Sequence, residues 1–107
     1  MTNAVFNYKD GHFVSFQIKG HADYSEYGSD IVCSGITTAT FTTLGLLQKV
    51  LDKKAYQYFE KDADITFEMI KKDESILVKQ IIQNFIEVLE NIEKQYPKHL
   101  KIKIAKI

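Results

Sequence analysis

The chain has 107 residues, enough for one domain that closes a core without disulfides or metal clips. Apolar residues make up 45% and charged residues 26%, a balance that excludes a disordered chain. Fourteen basic residues, all lysine, match 14 acidic ones, so the basic excess and guanidinium forks of a direct nucleic-acid reader are missing.

No basic start followed by an apolar stretch opens the chain. No uninterrupted apolar run approaches the ~18 residues of a membrane span. The expectation is one cytoplasmic domain over residues 1–107, with no membrane partner. One cysteine excludes an intrachain disulfide.

Ala4–Tyr8 alternates, with Ala4, Phe6 and Tyr8 on one face. Asp10-Gly11 is a hairpin turn signal, and Phe13–Lys19 alternates again, with Val14, Phe16 and Ile18 together. Gly20–Ser29 reads as a loop, long for a domain of this size, and long loops often carry function.

Asp30–Lys53 has helical spacing, with Val32, Ile36, Ala39, Thr43, Leu47 and Val50 as its apolar stripe. A second stripe, Gly35, Thr38, Thr42 and Gly45, is small enough for close approach of another backbone. Threonine and glycine are poor helix formers, so this helix needs burial and belongs at the centre. Ala55–Glu60 and Asp64–Lys71 form a second hairpin, turning at Lys61-Asp62, with Ile65, Phe67 and Met69 on one face.

Glu74–Tyr96 is an amphipathic helix with the stripe Val78, Ile82, Phe85, Leu89 and Ile92, stopped at Pro97. Leu100–Lys106 is a last strand, with Leu100, Ile102 and Ile104 inward. The order β-β-α-β-β-α-β predicts an α+β two-layer sandwich: a mainly antiparallel five-stranded sheet with two helices on it.

Cys33 falls in the first turn of the helix predicted from Asp30. Backbone N–H groups there lack intrahelical partners, and the helix dipole favours an anion. Both effects favour the nucleophilic thiolate, and the free donors could stabilise an oxyanion. His21 opens the preceding loop, and the nine residues His21–Ser29 are long enough to bring it back to Cys33 as general base and acid. The competing reading is a buried, inert thiol packed as a small hydrophobe.

Asp30 has two readings, helix N-cap or a carboxylate that orients His21. His21, Asp23, Glu26 and Cys33 lack the close pairs of a zinc site, so no metal or other cofactor is expected. His12 and His99 are expected to be solvated. Redox sensing is a third possibility, weakened by the lack of a resolving cysteine.

The stretch Gly20–Thr37, GHADYSEYGSDIVCSGIT, resembles the ribosomal-processing cysteine protease (Prp) family. That family's signature is Gly-His, about ten loop residues, then Gly-x-Asp-Ile-Val-Cys and small residues; Gly20, His21, Gly28, Asp30, Ile31, Val32 and Cys33 match it without a gap. The resemblance implies a cytoplasmic endopeptidase that removes the N-terminal extension of a large-subunit ribosomal protein after a phenylalanine-rich segment. Cys33 would be nucleophile and His21 its base.

His21–Ser29 would be a mobile lid over substrate, including Ala22, Asp23, Tyr24, Gly28 and Ser29. Family members are dimers. Where the family commonly has a serine one turn after the cysteine, this chain has Thr37, which keeps a hydroxyl. The alternative is a non-catalytic ribosome-assembly module with Cys33 structural.

Overall fold

The computed structural model describes residues 1–20 and 27–107, with 27–30 as backbone only. Five strands form one mixed sheet: β1 (Thr2–Lys9), β2 (His12–Lys19), β3 (Tyr56–Lys61), β4 (Asp64–Met69) and β5 (Leu100–Lys106). Two helices, α1 (Tyr27–Val50) and α2 (Ile76–Gln95), complete the predicted order. Across the sheet the strands run β3-β4-β2-β1-β5, antiparallel except for the β1–β5 pair.

The Asp10-Gly11 turn forms as its chemistry requires, with both residues at positive φ (51° and 78°). One face of the sheet is apolar and packs into a single core with both helices. Phe6, Phe16, Phe67 and Phe85 are fully buried and contact one another ring to ring, with Phe16 at the centre: 5.5 Å from Phe67, 5.2 Å from Phe85 and 5.8 Å from Phe6.

Two strand faces differ from expectation. The β1–β2 register shifts between Asn7 and Tyr8, so Tyr8 pairs with Phe13 and not with Val14. A bulge places two residues against one, and here it turns Phe13 towards Phe16 and Phe67 while Val14 drops out of the core. In β5, Leu100 is buried and Ile102 half-buried, but Ile104 is 51% exposed, at an open cavity that it lines with Ile86 and Ile107.

The stripe of α2 is as read, with Val78, Ile82, Phe85 and Leu89 buried and Ile92 packed beside them. Ser75 caps its first turn, accepting from the N–H of Val78 at 3.3 Å. The buried face of α1 is Val32, Ile36, Thr40, Thr43, Leu44 and Leu47; Val50 is exposed. Thr40 and Thr43 are buried without loss because each hydroxyl donates back to the carbonyl four residues earlier, at 2.7 and 2.8 Å.

The outer face of α1 is also apolar in part. Ile31–Val50 is therefore long and apolar enough to cross a bilayer by length and composition, contrary to expectation. A core helix passes the same test, and the buried stripe of α1 joins the core of the sheet and α2. Among the described residues, the glycines of α1 meet no close backbone. A Cβ on Gly35 would meet the tip of Ile92 there, at 3.6 Å, and one on Gly45 would meet none of them within 4 Å.

Candidate functional site

The helix carrying Cys33 starts at Tyr27, about a turn earlier than predicted. Gly28, Ser29 and Asp30, read as loop and cap, lie inside it. Glycine, serine and aspartate disfavour helix interiors, which is why they read as a boundary; the buried Val32 and Ile36 just beyond anchor the helix regardless.

The earlier helix start changes which donors are free. An α-helix leaves only its first four N–H groups unpartnered, and in α1 all of these precede Ile31. Cys33 lies almost two turns in, so its own N–H is not such a donor.

Cys33 is exposed, contrary to the reading of a packed inert thiol. It faces a cavity of about 230 Å³ at the edge of the sandwich. Cys33, Thr37 and Phe41, one helical turn apart in succession, form one wall. Ile18 and Gly20 at the end of β2, Thr2 at the start of β1 and the β3–β4 turn supply the others. Ile18, Ile36 and Ile65 make the interior apolar, whereas Glu60, Lys61 and Asp64 bring charge to it.

Gly20 is the most constrained position here. Its φ is +102°, and a Cβ would sit 2.6 Å from the carbonyl oxygen of Met1. Its N–H donates to the carbonyl of Ala63 at 2.8 Å, and its carbonyl accepts from the Thr2 hydroxyl at 3.4 Å. The residue that precedes His21 is thus held on both sides, at the mouth of the cavity that Cys33 faces.

His21, Ala22, Asp23, Tyr24 and Glu26 lie outside the described residues, as do the side chains of Tyr27, Gly28, Ser29 and Asp30. The start of α1 at Tyr27 puts Asp30 inside the helix and not at its cap. Its reading as an orienting group, the loop part of the lid, and every metal-ligand candidate but Cys33 fall on residues or side chains not described. Cys33, Gly20 and Thr37, by contrast, come together in one cavity.

His12 and His99, expected in solvent, are both half-buried. His12 opens β2 and stands 3.7 Å from a Glu74 oxygen. Residues of the β3–β4 turn carry no local signal for a site. Only Ala63, a non-glycine residue at φ 54°, marks the turn as unusual, and nothing in sequence foretells it.

Tyr58, on β3, donates its phenol to the Glu60 carboxylate at the rim. Desolvation, then the hydrogen bond to Glu60 and its negative charge, push that phenol up to about 12.

The family model described as cysteine protease Prp matches residues 1–101. The chain belongs to the Prp cysteine protease family.

Ribosomal processing cysteine protease Prp of Bacillus subtilis (strain 168) is 29% identical over 102 residues, covering 87% of both chains. Its counterpart in Staphylococcus aureus (strain NCTC 8325 / PS 47) is 25% identical over 96 residues, covering 87% of this chain and 88% of that one. Among solved structures, the essential ribosomal processing protease Prp from S. aureus, in complex with a covalently linked product peptide, superposes with a TM-score of 0.85. That pair is 21% identical and covers 98% of this chain and all of the other. The same protease in complex with a substrate peptide gives 0.82 at 22% identity, with the same coverage. These likenesses show the fold, and Prp membership makes the chain a cysteine protease.

Proposed function

We propose that this Prp-family protein is a cytoplasmic endopeptidase that removes the N-terminal extension of a large-subunit ribosomal protein, with Cys33 as nucleophile and His21 as its base. The observation that carries the assignment of the nucleophile is singularity. The protein is a cysteine protease with one cysteine, and that cysteine is exposed at a cavity.

His21 takes the proton from the Cys33 thiol, and the sulfur attacks the carbonyl carbon of the scissile peptide bond. His21 returns the proton to the leaving amine, and a thioester remains on Cys33. Water, deprotonated by His21, attacks the thioester and releases the new C-terminus and the thiol. Gly20 supports the role of His21, because it anchors the chain at the cavity one residue before it.

The substrate reading rests on the relatives, which are named for ribosomal processing. The cavity's apolar walls, Ile18, Ile36, Phe41 and Ile65, suit an aromatic side chain of an extended peptide. Thr37 offers its hydroxyl on the same wall as Cys33.

A homodimer joined along the outer face of α1 fits the partly apolar surface left there, with Ile31 55% and Leu46 45% exposed around Thr38 and Thr42. Sedimentation of Leu46→Asp as monomer would support it, and an unchanged dimer would place the interface elsewhere.

The test of the activity is incubation with the host's ribosomal protein carrying its extension. Cys33→Ala is expected to abolish cutting. Normal cutting by that variant ends the proposal and favours a binding module with a bystander thiol.

A further inference from the structure

A second groove lies at the opposite end of the sandwich from Cys33. Thr2 lines the Cys33 cavity and Tyr8 lines this groove. Six strand rises of about 3.3 Å separate them, roughly 20 Å. The groove has a volume of about 390 Å³ and runs between α2 and the β1–β2 hairpin. Its floor is apolar: Tyr8, Phe13, Val78, Ile82 and Ile86. Tyr8 and Ile86 also line a second, more open cavity, bounded by Asp10, Lys106 and the exposed Ile104.

The rim is acidic. Asp73, Glu74, Glu87 and Glu90 face one ammonium, that of Lys79, and His12. Asp73 and Glu74 are already engaged: Asp73 accepts from the N–H of Ser75 at 2.8 Å, and Glu74 lies near Lys72 and His12, at 3.1 and 3.7 Å. Glu87 and Glu90 are exposed, one turn apart on α2, and have no ion-pair partner among the described residues.

Lys94 borders Glu87 and Glu90 on their outer side, yet the groove's own lining carries four carboxylates against one ammonium and one imidazole. An apolar floor with that acidic excess fits a polypeptide segment with lysine or arginine on either side of an apolar side chain. Nucleic-acid phosphate would be repelled. A second copy of this chain would bring like charge against like across a two-fold axis.

We infer that this groove is an exosite that docks the basic, folded body of the substrate protein while its extension enters the Cys33 cavity. The identity of that body rests on the proposed function above, because a protein that binds RNA phosphates is rich in lysine and arginine. The exosite recruits substrate by charge and does not touch the reacting atoms. It therefore acts on KM and on salt dependence, and leaves kcat alone.

The test uses three ligands with the intact enzyme: the extended ribosomal protein, a synthetic peptide spanning only its extension and cleavage junction, and the same protein without the extension. Glu87→Lys/Glu90→Lys is expected to lower kcat/KM on the extended protein about tenfold, through KM, and to leave the short peptide within about twofold. Raising the salt should erase the wild-type preference for the whole protein over the peptide. The milder Glu87→Gln/Glu90→Gln pair should fall between, and thermal midpoints confirm that both variants fold.

Equal loss on protein and peptide, or no loss on either, overturns the exosite. The extension-free protein, added to isotopically labelled enzyme, should shift the amide resonances of residues 8–13 and 78–90. If it does so while neither substrate is cut, the proposed function fails and the exosite stands. If both are cut and these resonances stay still, the exosite fails alone. Concentration-dependent shifts there in the enzyme by itself would show a second copy in the groove and overturn the inference.

Discussion

Gly20→Ala tests the argument that the backbone beside Cys33 is held in one conformation. Two effects add. An L-residue at φ +102° is strained, by about 1–3 kcal/mol. The new Cβ also meets the Met1 carbonyl oxygen at 2.6 Å, and that atom cannot give way cheaply. Thr2, next to it, is tied by its N–H to His99 at 3.0 Å and pairs with Leu100 in the sheet. Crowding of this kind costs about 1–3 kcal/mol.

Alanine also restricts the unfolded chain, which offsets about 0.4–1 kcal/mol. The net expectation is a loss of about 1–5 kcal/mol, or at least roughly 5 °C in thermal midpoint for a chain of this length. Urea unfolding at constant slope, alongside calorimetry, measures it. Peptide cleavage by the same variant should fall as well, since the residue after Gly20 is His21. A change below about 0.5 kcal/mol with cleavage intact would refute the reasoning from φ and the Met1 contact.

Three other outcomes are expected. Alkylation of Cys33 by iodoacetamide near neutral pH should be fast in the wild type and clearly slower in His21→Ala; equal rates would remove His21 as its base. Phe16→Ala, at the centre of the aromatic cluster, should cost about 3–5 kcal/mol by chemical unfolding, and a cost under about 1 kcal/mol would mean the cluster closes over the gap.

Phenol ionisation followed by ultraviolet absorbance should show Tyr58 titrating near 12 in the wild type and lower in Glu60→Gln, though still above the ordinary value because desolvation remains. The folded value lies above the unfolded one. The stabilisation from Tyr58 is therefore complete below pH 10 and is lost as pH rises through about 12. A variant that titrates as the wild type does would dissociate the shift from Glu60.

The elements readable from sequence are those whose signal is local. The stripe of α2 repeats every three to four residues over about four turns, and the helix stops before Pro97, so its buried face is legible in the sequence. Asp10-Gly11 specifies its turn because its residue types tolerate positive φ. The start of α1 departs from its sequence expectation for an equally local reason. Gly28, Ser29 and Asp30 have the chemistry of a boundary, and only burial of the residues after them continues the helix through.

The Gly-His…Asp-Ile-Val-Cys pattern made Cys33 and His21 stand out, and the single cysteine left no rival nucleophile. The family, the order of elements and the candidate nucleophile are all legible in the chain, because each is written in neighbouring residues. What surrounds that thiol depends on how distant segments pack.

Thr2, Gly20, Ala63 and Cys33 are far apart in the chain, and no periodicity links them. They meet because β1, β2 and β4 pair in one register, which sets the β3–β4 turn beside the end of β2. Gly20 shows the division most plainly. Its presence could be read as a motif, but the reason it must be glycine is an oxygen of Met1, brought there by the sheet.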